Sequence, residues 1–135
     1  MWRDQTVRTY YKLALALLAG VGIGAAAVQG LHAQAKPIAY TVSEIDVTNP
    51  EAFTKEYLPV ARKALGENGA GYKIVASGGK TVSIEGAAPK GRVVINSFEN
   101  LEAAVAAYNS PTYKEARKIG DKYATWRIFA TEAAQ

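Results

Sequence analysis

The sequence has no cysteine and a single histidine. The first absence excludes structural disulfides, Cys-type zinc or iron–sulfur centres, redox dithiols and a cysteine nucleophile, whatever compartment the protein occupies. Charge of one sign is scarce too: 16 Lys and Arg stand against 12 Asp and Glu, a net charge of +4 spread along the whole chain. A nucleic-acid binder concentrates its basic side chains on one face or in one run, so this thin excess argues against nucleic acid as a partner. What is present is a chain of 135 residues, 49% of them hydrophobic, enough for one core and too little for two domains.

The first 35 residues read as a leader, not as part of the fold. Arg3, Arg8 and Lys12 outweigh Asp4, Leu13 to Val28 carries no charge, and the stretch ends on Ala33-Gln34-Ala35 before Lys36-Pro37. A basic opening, an apolar middle and small residues at the cut are the parts of a secretory signal peptide, with cleavage expected after Ala35 and a periplasmic or secreted product. The competing reading is an uncleaved anchor in the inner membrane. Against it, 16 residues of helix span roughly 24 Å where the hydrocarbon core is ~30 Å thick, and the second half is diluted by Gly20, Gly22 and Gly24. Gly20, Gly22 and Ala25 also match a dinucleotide fingerprint, but that motif requires a strand before it and a helix after it inside a βαβ unit.

With the leader removed, residues 36–135 form one domain with no membrane segment, and they contain neither Cys nor His, because His32 lies upstream of the cut. A Ser-His-Asp triad, a histidine base and any His-containing metal site are then impossible, leaving carboxylates, lysines, tyrosines and arginines. No cofactor or metal is implied.

Within this domain, Tyr40 to Val47 is rich in β-branched residues and leads into Asn49-Pro50-Glu51, an N-cap, a first-turn proline and an acid at the positive helix end. Phe53, Tyr57, Val60, Ala61, Ala64 and Leu65 follow at helical spacing, with Pro59 predicting a kink. Strands are expected over Tyr72–Ala76 and Thr81–Glu85, joined by a tight turn at Ser77-Gly78-Gly79-Lys80, and over Arg92–Phe98. Asn100 and Ser110-Pro111 each start a helix, Gly120 weakens the last turn, and Thr125–Ala130 closes the domain as a strand. The order β-α-β-β-β-α-α-β contains the split βαβ plan of an α+β, ferredoxin-like protomer with an antiparallel sheet. Val94 and Phe98 alternate with Val93 and Ile95, and Trp126 and Ile128 with Phe129, so both sheet faces carry large apolar residues while helices cover one. The second face is expected to meet another subunit.

Gly71-Tyr72-Lys73, Gly78-Gly79-Lys80, Glu85-Gly86, Pro89, Arg92-Val93-Val94, Leu101-Glu102 and Tyr108-Asn109-Ser110-Pro111-Thr112-Tyr113 together resemble the DUF1330 family. The resemblance covers roughly Tyr40 to Ala133 and implies a dimeric α+β barrel, a homodimer whose sheets pack face to face. It supplies no reaction. Ser77, Ser97, Ala107 and Gly120 stand where relatives commonly carry larger or charged groups, which implies a smaller, less charged pocket here.

Candidate ligand-binding residues are Tyr57, Glu85, Arg92, Tyr108 and Tyr113; no catalytic residue is assigned. Glu85 and Arg92 flank one loop and could pair across strands, or Arg92 could hold a substrate carboxylate. The tyrosines flank apolar stripes, where a ring is usually buried and its hydroxyl bonded. Ser110 reads as a cap, Glu44 and Asp46 as strand residues on one face, Trp126 with Arg127 as a core or interface element, and Lys114, Arg117, Lys118 and Lys122 as a solvated helix face. Two functions of different class follow. One is a non-catalytic exported dimer that binds a small apolar or carboxylated molecule in the cleft between sheet and helices or serves as a structural partner. The other, resting on fold analogy, is a cofactor-independent oxygenase or isomerase acting on an aromatic or polyketide-like substrate. A deep tyrosine-lined cavity holding Arg92 and Glu85 would favour the enzyme, and a filled cleft the binding module.

Overall fold

The computed structural model describes residues 36–134; the expected leader and its expected cut after Ala35 lie outside them. Strand β1 (Ala39–Val47) buries Ala39, Thr41, Ser43 and Ile45, while Tyr40, Val42, Glu44 and Asp46 point to the opposite face, as a two-residue pleat requires. Asn49 then accepts the Ala52 N–H at 3.1 Å and starts α1 (Pro50–Ala52). This helix runs through a π-helical turn (Phe53–Tyr57) into α2 (Leu58–Asn68). Pro59 does not simply kink the helix. The Leu58 N–H reaches back five residues to the Phe53 carbonyl, the register restarts, and the missing prolyl N–H falls in the first turn of α2, where none is needed.

The remaining elements are β2 (Lys73–Ser77), β3 (Arg92–Phe98), α3 (Leu101–Asn109), α4 (Pro111–Gly120) and β4 (Ala124–Glu132). The caps fall where the sequence places them: Asn100 accepts the Ala103 N–H at 2.8 Å, and Ser110 accepts the Tyr113 N–H at 3.2 Å. The four strands form one antiparallel sheet in the order β2-β3-β1-β4, a ferredoxin-like α+β fold. Ala39, Ile45 and Phe98 of the sheet meet Phe53, Tyr57, Leu65, Ala104 and Tyr113 of the helices in a single core. Gly120 does more than end a helix. A Cβ there would lie 2.8 Å from ring atoms of both Trp126 and Tyr57, so the bare glycine is what lets α4 close against β4.

One expected strand is absent. Thr81–Glu85 is not part of the sheet, and the order is β-α-β-β-α-α-β with a single strand pair in the middle. Gly78, at φ +68°, ends β2 and donates its N–H to the Val93 carbonyl at 2.9 Å, so β2 pairs directly with β3 and residues 79–91 are their connection. β-Branched residues stabilise a strand through what they pack against, and here Val82 is 68% and Ile84 99% exposed.

The face of the sheet away from the helices is apolar along its middle. Cross-strand register sets Ile95, Val42 and Phe129 side by side, between a Ser97, Tyr40, Thr131 row and a Val93, Glu44, Arg127 row.

Candidate functional site

Three polar side chains sit in the middle of the helix-covered sheet face: Thr41 and Ser43 on β1 and Asn96 on β3, all nearly inaccessible. Polar groups in such a place need partners, and α3 supplies one. Its small residues Ala104 and Ala107 are buried against the core, and Tyr108 points its hydroxyl to within 3.2 Å of Thr41 Oγ1 and accepts from Asn96 Nδ2, also at 3.2 Å. Asn96 Oδ1 has no partner.

Around this triplet runs a chain of rings. Tyr72 packs on Phe98 at 5.6 Å, Phe98 on Tyr108 at 6.1 Å, and Tyr108 edge-on to Tyr113 at 4.8 Å. The Tyr113 and Tyr57 hydroxyls then meet at 3.4 Å, a long contact for two hydroxyls, and Tyr57 stands edge-on to Trp126 at 5.0 Å. Burial pushes the Tyr57 hydroxyl well above the ordinary tyrosine range, and it also raises Tyr113 and Tyr72. These hydroxyls stay protonated near neutrality and act as hydrogen-bond groups, not as bases.

The sequence-expected residues divide accordingly. Tyr57, Tyr108 and Tyr113 come together. Arg92 lies at the edge of the same cleft, where its Nη2 donates to Ser77 Oγ at 2.7 Å and its Nε has no partner. Burial, and after it the charge of Arg62, holds the Arg92 guanidinium below its usual value. Glu85 does not join it: the strand that would have set the two opposite one another does not form, and Glu85 is exposed in the connection. Arg117 departs from the solvated face expected of it. It pairs with Asp121 at 2.8 Å and lies 4.1 Å over the Trp126 ring, capping the aromatic chain. Glu44 is held by Arg127 at 3.1 Å on the other side of the sheet. The expectation overlooks Thr41, Tyr72 and Asn96. Asn96 had a legible signal, a polar residue at the same alternation as the inward Val94 and Phe98.

Between the sheet and α2, Ser43, Tyr57, Tyr72, Asn96, Tyr108 and Trp126 border a cavity of about 40 Å³. That is room for a water or two, against ~300–1,000 Å³ for sites that enclose a drug-sized molecule. Asn96 Oδ1 and Trp126 Nε1, both without partners, belong to residues on its wall. The larger depressions are on the surface. One of about 620 Å³ runs between α2 and α4 over Val60, Ala64, Ala116 and Ile119. Another of about 470 Å³ lies on the open sheet face, between Glu44, Asp46 and Arg127 and the Ala87–Lys90 limb of the connection. Among the described residues no three His, Cys, Asp or Glu side chains are grouped to hold a metal ion, and no helix is long and apolar enough to cross a membrane.

Comparison with solved structures returns the same fold at low identity. The chain is similar to RPA0582 from Rhodopseudomonas palustris, a protein of unknown function, with a TM-score of 0.56 and 16% identity over 74% of this chain and 83% of that one. It is similar also to SnoaB, a cofactor-independent oxygenase from Streptomyces nogalater, with a TM-score of 0.53 and 14% identity over 73% of this chain and 95% of the other. No curated protein matches the sequence. The model of the domain of unknown function DUF1330 matches residues 38–134, from just before β1 to the end of the described fold, and the chain therefore belongs to the DUF1330 family.

Proposed function

We propose that the chain is exported, sheds residues 1–35, and works outside the cytoplasm as a homodimer with a binding or structural role, not a catalytic one. The observation that carries this reading is the filled cleft: the chain's own tyrosines occupy the space between sheet and helices down to about 40 Å³. The groups around that space include the Tyr57 and Tyr72 hydroxyls, whose burial keeps them protonated, the Asn96 amide, the Trp126 indole and the Arg62 guanidinium, a set that donates and accepts hydrogen bonds without removing protons. A small apolar or carboxylated molecule, expected in the cleft, would then be met instead at the surface depressions. The dimer is supported by the open sheet face, where Ile95, Val42 and Phe129 would return to water surface that a second sheet can bury. The test is sedimentation and intact mass of protein recovered from the cell envelope. A dimer of chains beginning at Lys36, converted by Ile95→Lys to a folded monomer, is expected. A full-length chain in the membrane fraction overturns the cleavage, and a native monomer overturns the dimer.

A second reading, a cofactor-independent oxygenase, is favoured by the likeness to SnoaB and by the unpartnered Asn96 Oδ1 and Trp126 Nε1 at one cavity. Oxygen uptake with a hydroxylated aromatic compound separates the two. No uptake above the protein-free rate is expected; uptake that Asn96→Leu abolishes would replace the first reading with the second.

A further inference from the structure

Thr81–Glu85 has the alternation of a strand and no sheet to join. Val82 and Ile84 are two residues apart, the spacing that puts side chains on one side of a strand, and both project into solvent. Among the described residues, none of the main-chain groups of residues 79–90 takes part in a main-chain hydrogen bond. Such a segment lacks both things that stabilise a strand, a ladder and a surface to pack on.

The sheet has two free edges that could supply them. β2 is the edge from which the segment departs, but it is five residues long and its pairing with β3 is broken between Ile74 and Ala76, the kind of irregularity that blunts an edge. β4 is nine residues long, pairs with β1 in unbroken register, and has nothing among the described residues on its outer side. Its second half is exposed, with Phe129 44% accessible on the open face. The chain's own β4 lies at the far side of the sheet from β2 and faces outward. A second copy's β4 has no such restriction.

We propose that residues 79–91 are an arm that crosses to a second copy of this chain and adds Thr81–Glu85 to the outer edge of its β4, with Val82 and Ile84 packed by Phe129. The exchange is reciprocal: each copy gives one arm and receives one, so a two-fold pair closes with no arm and no β4 edge left over. The depression on the open face is continuous with this arrangement, since one of its walls is the Ala87–Lys90 limb of the arm itself and the other is the sheet surface beside β4. Extended, five residues reach about 16 Å, comparable to the exposed half of β4. The proposal rests on the homodimer reading and adds to it a specific main-chain contact.

Hydrogen exchange of the protein recovered from the cell envelope, followed over a range of concentrations, tests it. Amides in 81–85 and 128–132 are expected to become protected together as dimer forms, and to lose that protection on dilution. Val82→Ser with Ile84→Ser is expected to raise the dimer dissociation constant on the order of 100-fold, while the monomer, in which both side chains are already in water, melts as before. A monomer at every concentration overturns the homodimer and the arm with it. A dimer whose 81–85 amides exchange freely, or whose dissociation constant the double variant leaves unchanged, overturns the arm alone. Protection of 81–85 that survives dilution to monomer also overturns it, because the cover then comes from the same chain.

Discussion

Replacing Asn96 by leucine is expected to make the protein more stable, although it removes a buried hydrogen bond. Asn96 is 3% exposed. Its Nδ2 donates to Tyr108 Oη at 3.2 Å, while its Oδ1 has no partner. Losing an ordinary bond of this kind costs about 1 kcal/mol, and an oxygen with no protein partner costs a further amount of about 1–3 kcal/mol when the adjacent cavity of about 40 Å³ leaves it dry. Leucine has nearly the same shape, so it removes both terms without opening a cavity, and the Tyr108 hydroxyl keeps Thr41 Oγ1 at 3.2 Å. The balance is a gain of about 1 kcal/mol, which for a domain of this size raises Tm by roughly 4–8 °C. Thermal unfolding of the two proteins, followed by circular dichroism with urea titration as a check, measures it. A loss of about 1 kcal/mol or more would refute the reasoning, since it would show that Oδ1 is bonded in solution to a group the native protein holds in its cleft. Asparagine at this position would then be retained for that group and not despite its cost.

Gly120→Ala should lower stability by about 1–3 kcal/mol through overpacking, because its methyl would lie 2.8 Å from the Trp126 and Tyr57 rings; denaturant unfolding reads the loss, and an unchanged midpoint would show that α4 can back away from β4. Ser110→Ala should cost about 1 kcal/mol as a lost cap, since its Oγ accepts the Tyr113 N–H and donates to the Ala107 carbonyl at 2.7 Å; Ser110→Asp, which keeps the acceptor, should recover part of it. Alkaline pH should unfold the domain. Burial raises both Tyr57 and Tyr113, so the native state keeps protons that the unfolded chain releases. The stability they contribute is complete below about pH 10 and falls above it by roughly 1.4 kcal/mol per pH unit for each tyrosine. Tyrosinate absorbance should therefore appear in two stages, the second coincident with unfolding; one smooth titration of a folded protein would contradict the buried hydroxyls.

Sequence alone determined the features that depend on a few neighbouring residues. Asn49, Asn100 and Ser110 declare their helices because a cap bonds an N–H only two or three positions away, and Arg92–Phe98 declares its strand because alternation is a property of the chain itself. From those elements the ferredoxin-like order follows, and Val94 and Phe98 separate correctly from Val93 and Ile95. What only the tertiary structure decided is which of these side chains meet. Thr81–Glu85 has a strand's composition and stays out of the sheet, because a ladder partner is a long-range fact that local propensity does not contain. Glu85 is separated from Arg92 for the same reason, and Arg92 turns to Ser77 instead. Tyr108, from α3, reaches Thr41 and Asn96 only because buried alanines bring that helix close to the sheet, and Arg117 covers Trp126 only because Gly120 lets α4 approach β4. Distances between elements are set by the whole core at once, and the filled tyrosine-lined cleft is a property of that packing.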